Sequence, residues 1–191
     1  WVVMNDGSCV CVVYEPLEEV LAFIPITTDG DFESVAVLPA DDQDRAYFVV
    51  NRTVNGSTVR YIEKMALDTD VKPSTLCKTV DAFATGTNGP ASTTIAVGTH
   101  LIGETVVVWA DGAPLVATVD GYEEPIAYTV DGSGNITVGS AVTNWVAGLS
   151  YRMRYKSSRL AYGAAGGTAI LQHKKVDELG IIMTDFVRAG V

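Results

Sequence analysis

The sequence predicts an all-β, antiparallel protein, and three observations lead there. Apolar and polar residues alternate with a period of two through a series of short runs. Turn pairs, above all Asn55-Gly56 and Asp111-Gly112, stand between such runs, where a tight hairpin needs positive φ. No stretch between the early strands holds the dozen or so helical residues that a parallel crossover requires.

Taken in order, residues 1–4 form a first strand, turned by Asn5-Asp6-Gly7. Residues 8–15 return with valine and cysteine at both parities, which predicts a central strand covered on both faces. Pro16 ends it. Residues 20–26 form a third strand, whose Pro25 lacks a ladder donor and suits an edge or bulge. Thr28-Asp29-Gly30 then turns the chain into its most regular stretch. Strands are expected there at 32–38, 45–53 and 58–65, the last two joined by Asn55-Gly56. Residues 1–68 thus predict one antiparallel meander resembling a propeller blade.

The pattern lapses over 66–75, which places a module boundary there. Residues 76–84 resume it weakly, and the Gly, Asn and Pro of 86–92 predict a loop. Strands are expected at 93–97, 104–110, 113–119, 125–130, 135–138 and 149–156. The last alternates Tyr151, Met153 and Tyr155 with Arg152, Arg154 and Lys156. Residues 76–157 therefore predict a small β-barrel. A glycine-rich hinge at 163–168, a helical turn over 168–179 and a strand over 181–187 fill a return segment, 158–191, expected to pair with the first module.

The net charge is −10, from 23 acidic and 13 basic residues. Such a field disfavours general binding to nucleic acid or to an anionic membrane. The asymmetry is strong: residues 1–68 hold twelve acidic and four basic side chains. No apolar run reaches the ~18 residues of a membrane-spanning helix. No secretory leader is read, and Trp1 already lies in a strand-like run, so the chain is expected to be part of a longer protein.

The chemistry-bearing residues are few. Cys9, Cys11 and Cys77 have no disulfide-framework spacing and read as reduced thiols. A Cys-x-Cys metal site would need two more ligands, and the histidines are His100 and His173. Asp41, Asp42 and Asp44, with Asp29 and Asp31 nearby, are the calcium candidates, because calcium takes several carboxylate and carbonyl oxygens. They lack the EF-hand loop pattern, and the plainer reading is a solvated acidic turn that discourages edge pairing. Glu123-Glu124 are chain neighbours and point apart, unlike a glycosidase pair. The sequons at Asn51, Asn55 and Asn135 read as chance, Asn55 being explained by its turn. Arg152, Arg154 and Lys156 form a basic stripe suited to a subunit or module contact, or to a phosphate backbone. No catalytic set and no cofactor are expected.

Several motifs in order carry a family resemblance. They are Trp1-Val-Val-x-Asn-Asp-Gly, Tyr14-Glu15, Glu19-Val20, Thr28-Asp29-Gly30-x-Phe32-Glu33-Ser34-Val35-Ala36-Val37, Phe48-Val49-Val50-x-Arg52-Thr53, Asn55-Gly56 and Arg60-Tyr61-Ile62-Glu63. With Gly89-Pro90 and the run His100-Leu101, Gly103, Val106 and Ala110-Asp111-Gly112, the chain from Trp1 to about Lys175 resembles the tail nozzle (tail tubular protein B-like) proteins of short-tailed phages and prophages. Phe23 and Ile24 stand where that family commonly carries a Trp-His type pair. The second module is similar in fold to the first catalytic-cysteine half-domain of ubiquitin-activating enzymes, and fold alone imports none of their chemistry.

The resemblance implies a virion structural protein, made in the host cytoplasm and built into the tail. It implies a ring, expected to be a hexamer, below the portal and next to an adaptor protein. DNA would pass through it in transit, with no membrane partner. Asp29 and Asp31 become channel candidates, since a negative wall lets DNA slide without sticking. Arg152, Arg154 and Lys156 become interface candidates. The alternative is a β-rich adhesion or carbohydrate-binding module, calcium-dependent or not, using Trp109, Tyr122 and Trp145 as exposed aromatics.

Overall fold

The computed structural model describes residues 1–17, 19–156, 178, 180 and 182. The expected return segment 158–191, with its hinge, helical turn and strand, and His173, lie outside them apart from those three positions. Strands dominate, every pairing is antiparallel, and the one helical element among the described residues is a 3-10 turn at Thr99–Leu101. The all-β, antiparallel expectation holds.

The first part of the chain makes two sheets. β1 (Val2–Val3), β2 (Cys9–Glu15) and β3 (Val20–Ile26) form one, in that order. β4 (Asp31–Leu38), β5 (Arg45–Val54) and β6 (Ser57–Lys64) form the other. Val54 pairs with Ser57 across the Asn-Gly turn, whose φ angles are 48° and 74°, as the hairpin requires. Pro25 lies on the edge strand β3.

Two small sheets replace the single expected meander. The chain changes sheet at Thr28–Gly30, where Gly30 (φ 133°) brings its backbone against β5. A Cβ at Gly30 would stand 2.4 Å from the Asn51 carbonyl oxygen, so this crossing needs glycine. The sheets then share one core of Cys9, Phe32, Ala46, Phe48 and Val50, with Trp1 edge-on to Phe48 at 5.3 Å. The expectation that β2 is covered on both faces fails beyond its first residue. Cys9 is buried, but burial fades along the strand, and Val13, Tyr14 and Glu15 are exposed.

The second part carries two long strands that the sequence divides into pieces. β7 (Asp81–Ala96) pairs with β13 (Asn135–Leu149). Between them in sequence come β8 (Thr105–Ala110), β9 (Ala113–Pro114), β10 (Val116–Val119), β11 (Tyr122–Pro125) and β12 (Tyr128–Thr129). The sheet order is β12-β8-β13-β7, with β9 also on β8. The expected closed barrel is not formed among the described residues. β10 and β11, which a barrel would use as staves, pair with each other as a separate ribbon, and the five-stranded sheet stays open.

Both faces of that sheet are covered. On one side lies the main core, including Ile95, Leu101, Val106, Val108, Ile136, Trp145 and Ala147. On the other, Val107, Trp109 and Val146 pack under Cys77, Val80 and partly buried Leu76 and Phe83. Trp109 Nε1 donates to the Ser74 carbonyl at 2.9 Å. The weak strand expected from residue 76 begins only at Asp81; before it, Leu76, Cys77 and Val80 lie in irregular chain that covers the sheet's second face, which is why β8 is apolar at every position after Thr105.

Candidate functional site

The site is built around β5. Its alternate residues Ala46, Phe48, Val50, Arg52 and Val54 all point into the protein. Four are apolar, and the fifth is an arginine with 4% of its surface exposed. A buried guanidinium must be paired. Arg52 Nε and Nη2 donate to the two Glu63 carboxylate oxygens at 2.6 and 2.7 Å, a bidentate fork. Nη1 donates to the Asp29 carbonyl at 2.6 Å, and Nη2 stands 3.6 Å from Asp81 Oδ2. Thr28 Oγ1 donates to that same Asp81 oxygen. Burial pulls the Arg52 guanidinium down, but Glu63 and then Asp81 outweigh it, so its pKa lies above the ordinary arginine value.

This cluster is a seam. Asp29 and Thr28 come from the crossing loop, Arg52 and Glu63 from β5 and β6, and Asp81 opens β7. His100 continues it, with Nε2 3.1 Å from the Ala82 carbonyl and its ring edge-on to Tyr61 at 6.3 Å. The acidic Glu63 and Asp81 are therefore used for structure. The arrangement fixes one module against the next.

The outer surface is acidic. Asp29, Asp31, Asp41, Asp42 and Asp44 are all exposed, the last three on the loop between β4 and β5. Among the described residues no group of three or more His, Cys, Asp or Glu side chains converges as a metal site. The calcium candidates Asp41, Asp42 and Asp44 are exposed to solvent on that loop. Millimolar calcium is accordingly expected to leave the melting temperature unchanged; a rise of several degrees would mean a site that this arrangement does not provide.

The basic stripe is placed differently from expectation. β13 starts at Asn135 and ends at Leu149, so Arg152, Arg154 and Lys156 follow the strand in irregular chain. All three are exposed, and among the described residues none makes an ion pair. Beside them Met153 and Tyr155 are 79% and 88% exposed. Of the aromatics considered for a carbohydrate platform, Trp109 and Trp145 are core residues, and Tyr122 alone is exposed. Glu123 and Glu124 lie on β11 at adjacent positions, on opposite faces. A shallow cavity of about 190 Å³ beside Trp1, Asp44, Met65 and Asp68 is open and carries no converging reactive groups.

A further surface feature is apolar. Val12 faces Phe23 and Tyr14 faces Leu21 across β2 and β3, on the side away from Cys9. Tyr14, Leu21 and Phe23 are 69%, 59% and 64% exposed, and Leu17 at the turn is 92% exposed. The hairpin extends past the shared core with its apolar side chains in water. These side chains stand together on one hairpin face, a larger apolar exposure than singly scattered surface residues present.

No protein-family model and no curated protein matches the chain.

Several carboxylates are tied to partners, which sets the acid response. Lys78 foremost, then the Leu67 amide, hold Asp70 below the usual carboxylate range. Arg60 does so for Glu33. The Asn144 and Thr143 amides do so for Asp111, pinning the β8–β9 turn to β13. A lowered folded-state pKa contributes stability that is complete above the unfolded value and is lost as pH falls through the folded one. Thermal melts are expected to be level from about pH 7 to 5 and to fall below about pH 4. Asp70→Asn is expected to flatten that acid limb; an unchanged limb would refute the Lys78 contribution.

Proposed function

We propose that the chain is a structural subunit of a short-tailed phage or prophage tail, a nozzle-type ring around the DNA exit channel. The observation that carries the reading is the solvent-facing apolar hairpin next to exposed carboxylates. Such a surface suits a protein partner and repels a polyanion. The family resemblance supplies the kind of assembly: a ring, a hexamer by analogy, with an adaptor protein above it and DNA in transit. Antiparallel sheets joined by a buried arginine fork suit a part that must keep its shape while DNA passes.

In this reading Asp29, Asp31 and the 41–44 loop are the residues to look for along a channel wall. The work is mechanical and electrostatic, with no bond made or broken. The test is electron microscopy of the assembled protein with its surface potential mapped on the ring. A ring with an acidic lumen is expected; a uniformly basic lumen would sink the reading. Genes for a portal and other tail proteins are expected beside this one, and their absence would count equally against it.

A further inference from the structure

We propose that the β2–β3 hairpin of one copy docks on residues 151–156 of the next, a head-to-tail contact. This rests on the ring reading only for the closure of the assembly. Two exposed surfaces on the same chain are complementary. The hairpin presents Tyr14, Leu21 and Phe23, with Glu15 and Glu19 exposed at its end. Residues 1–26 contain no Lys or Arg, so nothing local neutralises those acids. The 151–156 segment, Tyr-Arg-Met-Arg-Tyr-Lys, contains three bases and no acid, interleaved with exposed Met153 and Tyr155.

Backbone geometry adds a second line. β3 is an edge strand with one side unpaired, and its Pro25 blocks a donor only near the far end. Residues 150–156 have no ladder partner among the described residues. Laid along Val20–Ile24, the segment would gain main-chain hydrogen bonds, and alternation would send Met153 and Tyr155 to one face and the bases to the other. The bases then meet Glu15 and Glu19 while the apolar side chains meet Phe23 and Leu21.

Among the described residues neither surface covers the other, because Tyr14, Leu21, Phe23, Met153 and Tyr155 are all exposed together. The complementarity is thus open to a second copy. A contact that joins two different patches is heterologous, and repeated it generates a ring or an open filament.

The test uses the whole 191-residue chain. Phe23→Cys and Met153→Cys variants, purified separately with tags of different size, are mixed and mildly oxidised. The parent chain, whose Cys11 is half-buried, gives the background. A mixed 23–153 disulfide dimer exceeding both like–like dimers is expected. Glu15→Lys with Glu19→Lys should lower its yield about tenfold, and Arg152→Glu with Arg154→Glu on the other partner should restore it. Dominant 23–23 links, or none above background, overturn the proposal. So does an internally linked monomer from the Phe23→Cys/Met153→Cys double variant, which would mean that the chain covers its own hairpin. Rings seen without the 23–153 link would overturn this contact and leave the ring reading intact. Open filaments with the link would do the reverse.

Discussion

Arg52→Ala is expected to lower unfolding stability by about 3–5 kcal/mol, the range for removing one partner of a buried ion pair. The Glu63 carboxylate and the Asp29 carbonyl lose the Arg52 donors together, and Asp81 loses its counter-ion while keeping its bonds from Thr28 and the Ala82 amide. Arg52→Lys keeps the charge but has no planar fork for Glu63, so it should recover only part of the loss. Arg52→Met combined with Glu63→Leu removes the charge on both sides of the main pair. Apolar replacements of a buried pair are often neutral or better, so this double variant should stand well above Arg52→Ala. Asp81 is 31% exposed and can be hydrated when Arg52 is gone. Urea unfolding with an unchanged m-value measures all of this. An Arg52→Ala protein within about 1 kcal/mol of the parent would mean that the seam is ornamental.

The seam also shows what the sequence makes legible. Arg52 sits in phase with Ala46, Phe48, Val50 and Val54, so period-two reasoning alone places it inside. Its acceptors are a different matter. Glu63 follows from the Asn-Gly hairpin, because the register sets Val59, Tyr61 and Glu63 on Arg52's face of the sheet. Asp81 and Asp29 do not follow, since they depend on how one module meets another. The acidic turn at 41–44 was readable as a solvated loop, and its carboxylates lie in solvent. The exposed hairpin was not readable: Val12, Tyr14, Leu21 and Phe23 look the same in sequence whether a sheet covers them or a partner does. The cover at Leu76, Cys77 and Val80 shows in sequence only as a weak strand-like spacing, because packed irregular chain has no fixed period of its own.

Gly86→Val and Trp145→Ala are expected to be strongly coupled. The expected loop at 86–92 is part of β7, and the pairing of Gly86 with Trp145 explains why its composition misleads. The Trp145 indole lies over Gly86: a Cβ there would meet the ring at 2.5 Å. Glycine weakens a strand in general but permits a close approach like this one. Just beyond, the ladder skips, with Asn144 opposite Thr87 and Val142 opposite Ser92. Asn88 bridges the gap, donating to the Val142 carbonyl at 3.1 Å and accepting from Trp145 Nε1 at 3.3 Å. The turn-like residues therefore serve one buried tryptophan, 5% exposed. Trp145→Ala should cost about 3–5 kcal/mol by removing a large core side chain. Gly86→Val should cost about 1–3 kcal/mol in the parent through overpacking. In the Trp145→Ala background the valine meets a cavity instead of a ring, so Gly86→Val should become neutral or stabilising there. The resulting interaction energy is expected to be of order 1–3 kcal/mol, with the double variant more stable than the two single losses would sum to. Strict additivity would mean that the ring does not rest on Gly86, and would remove the reason for reading 86–92 as strand.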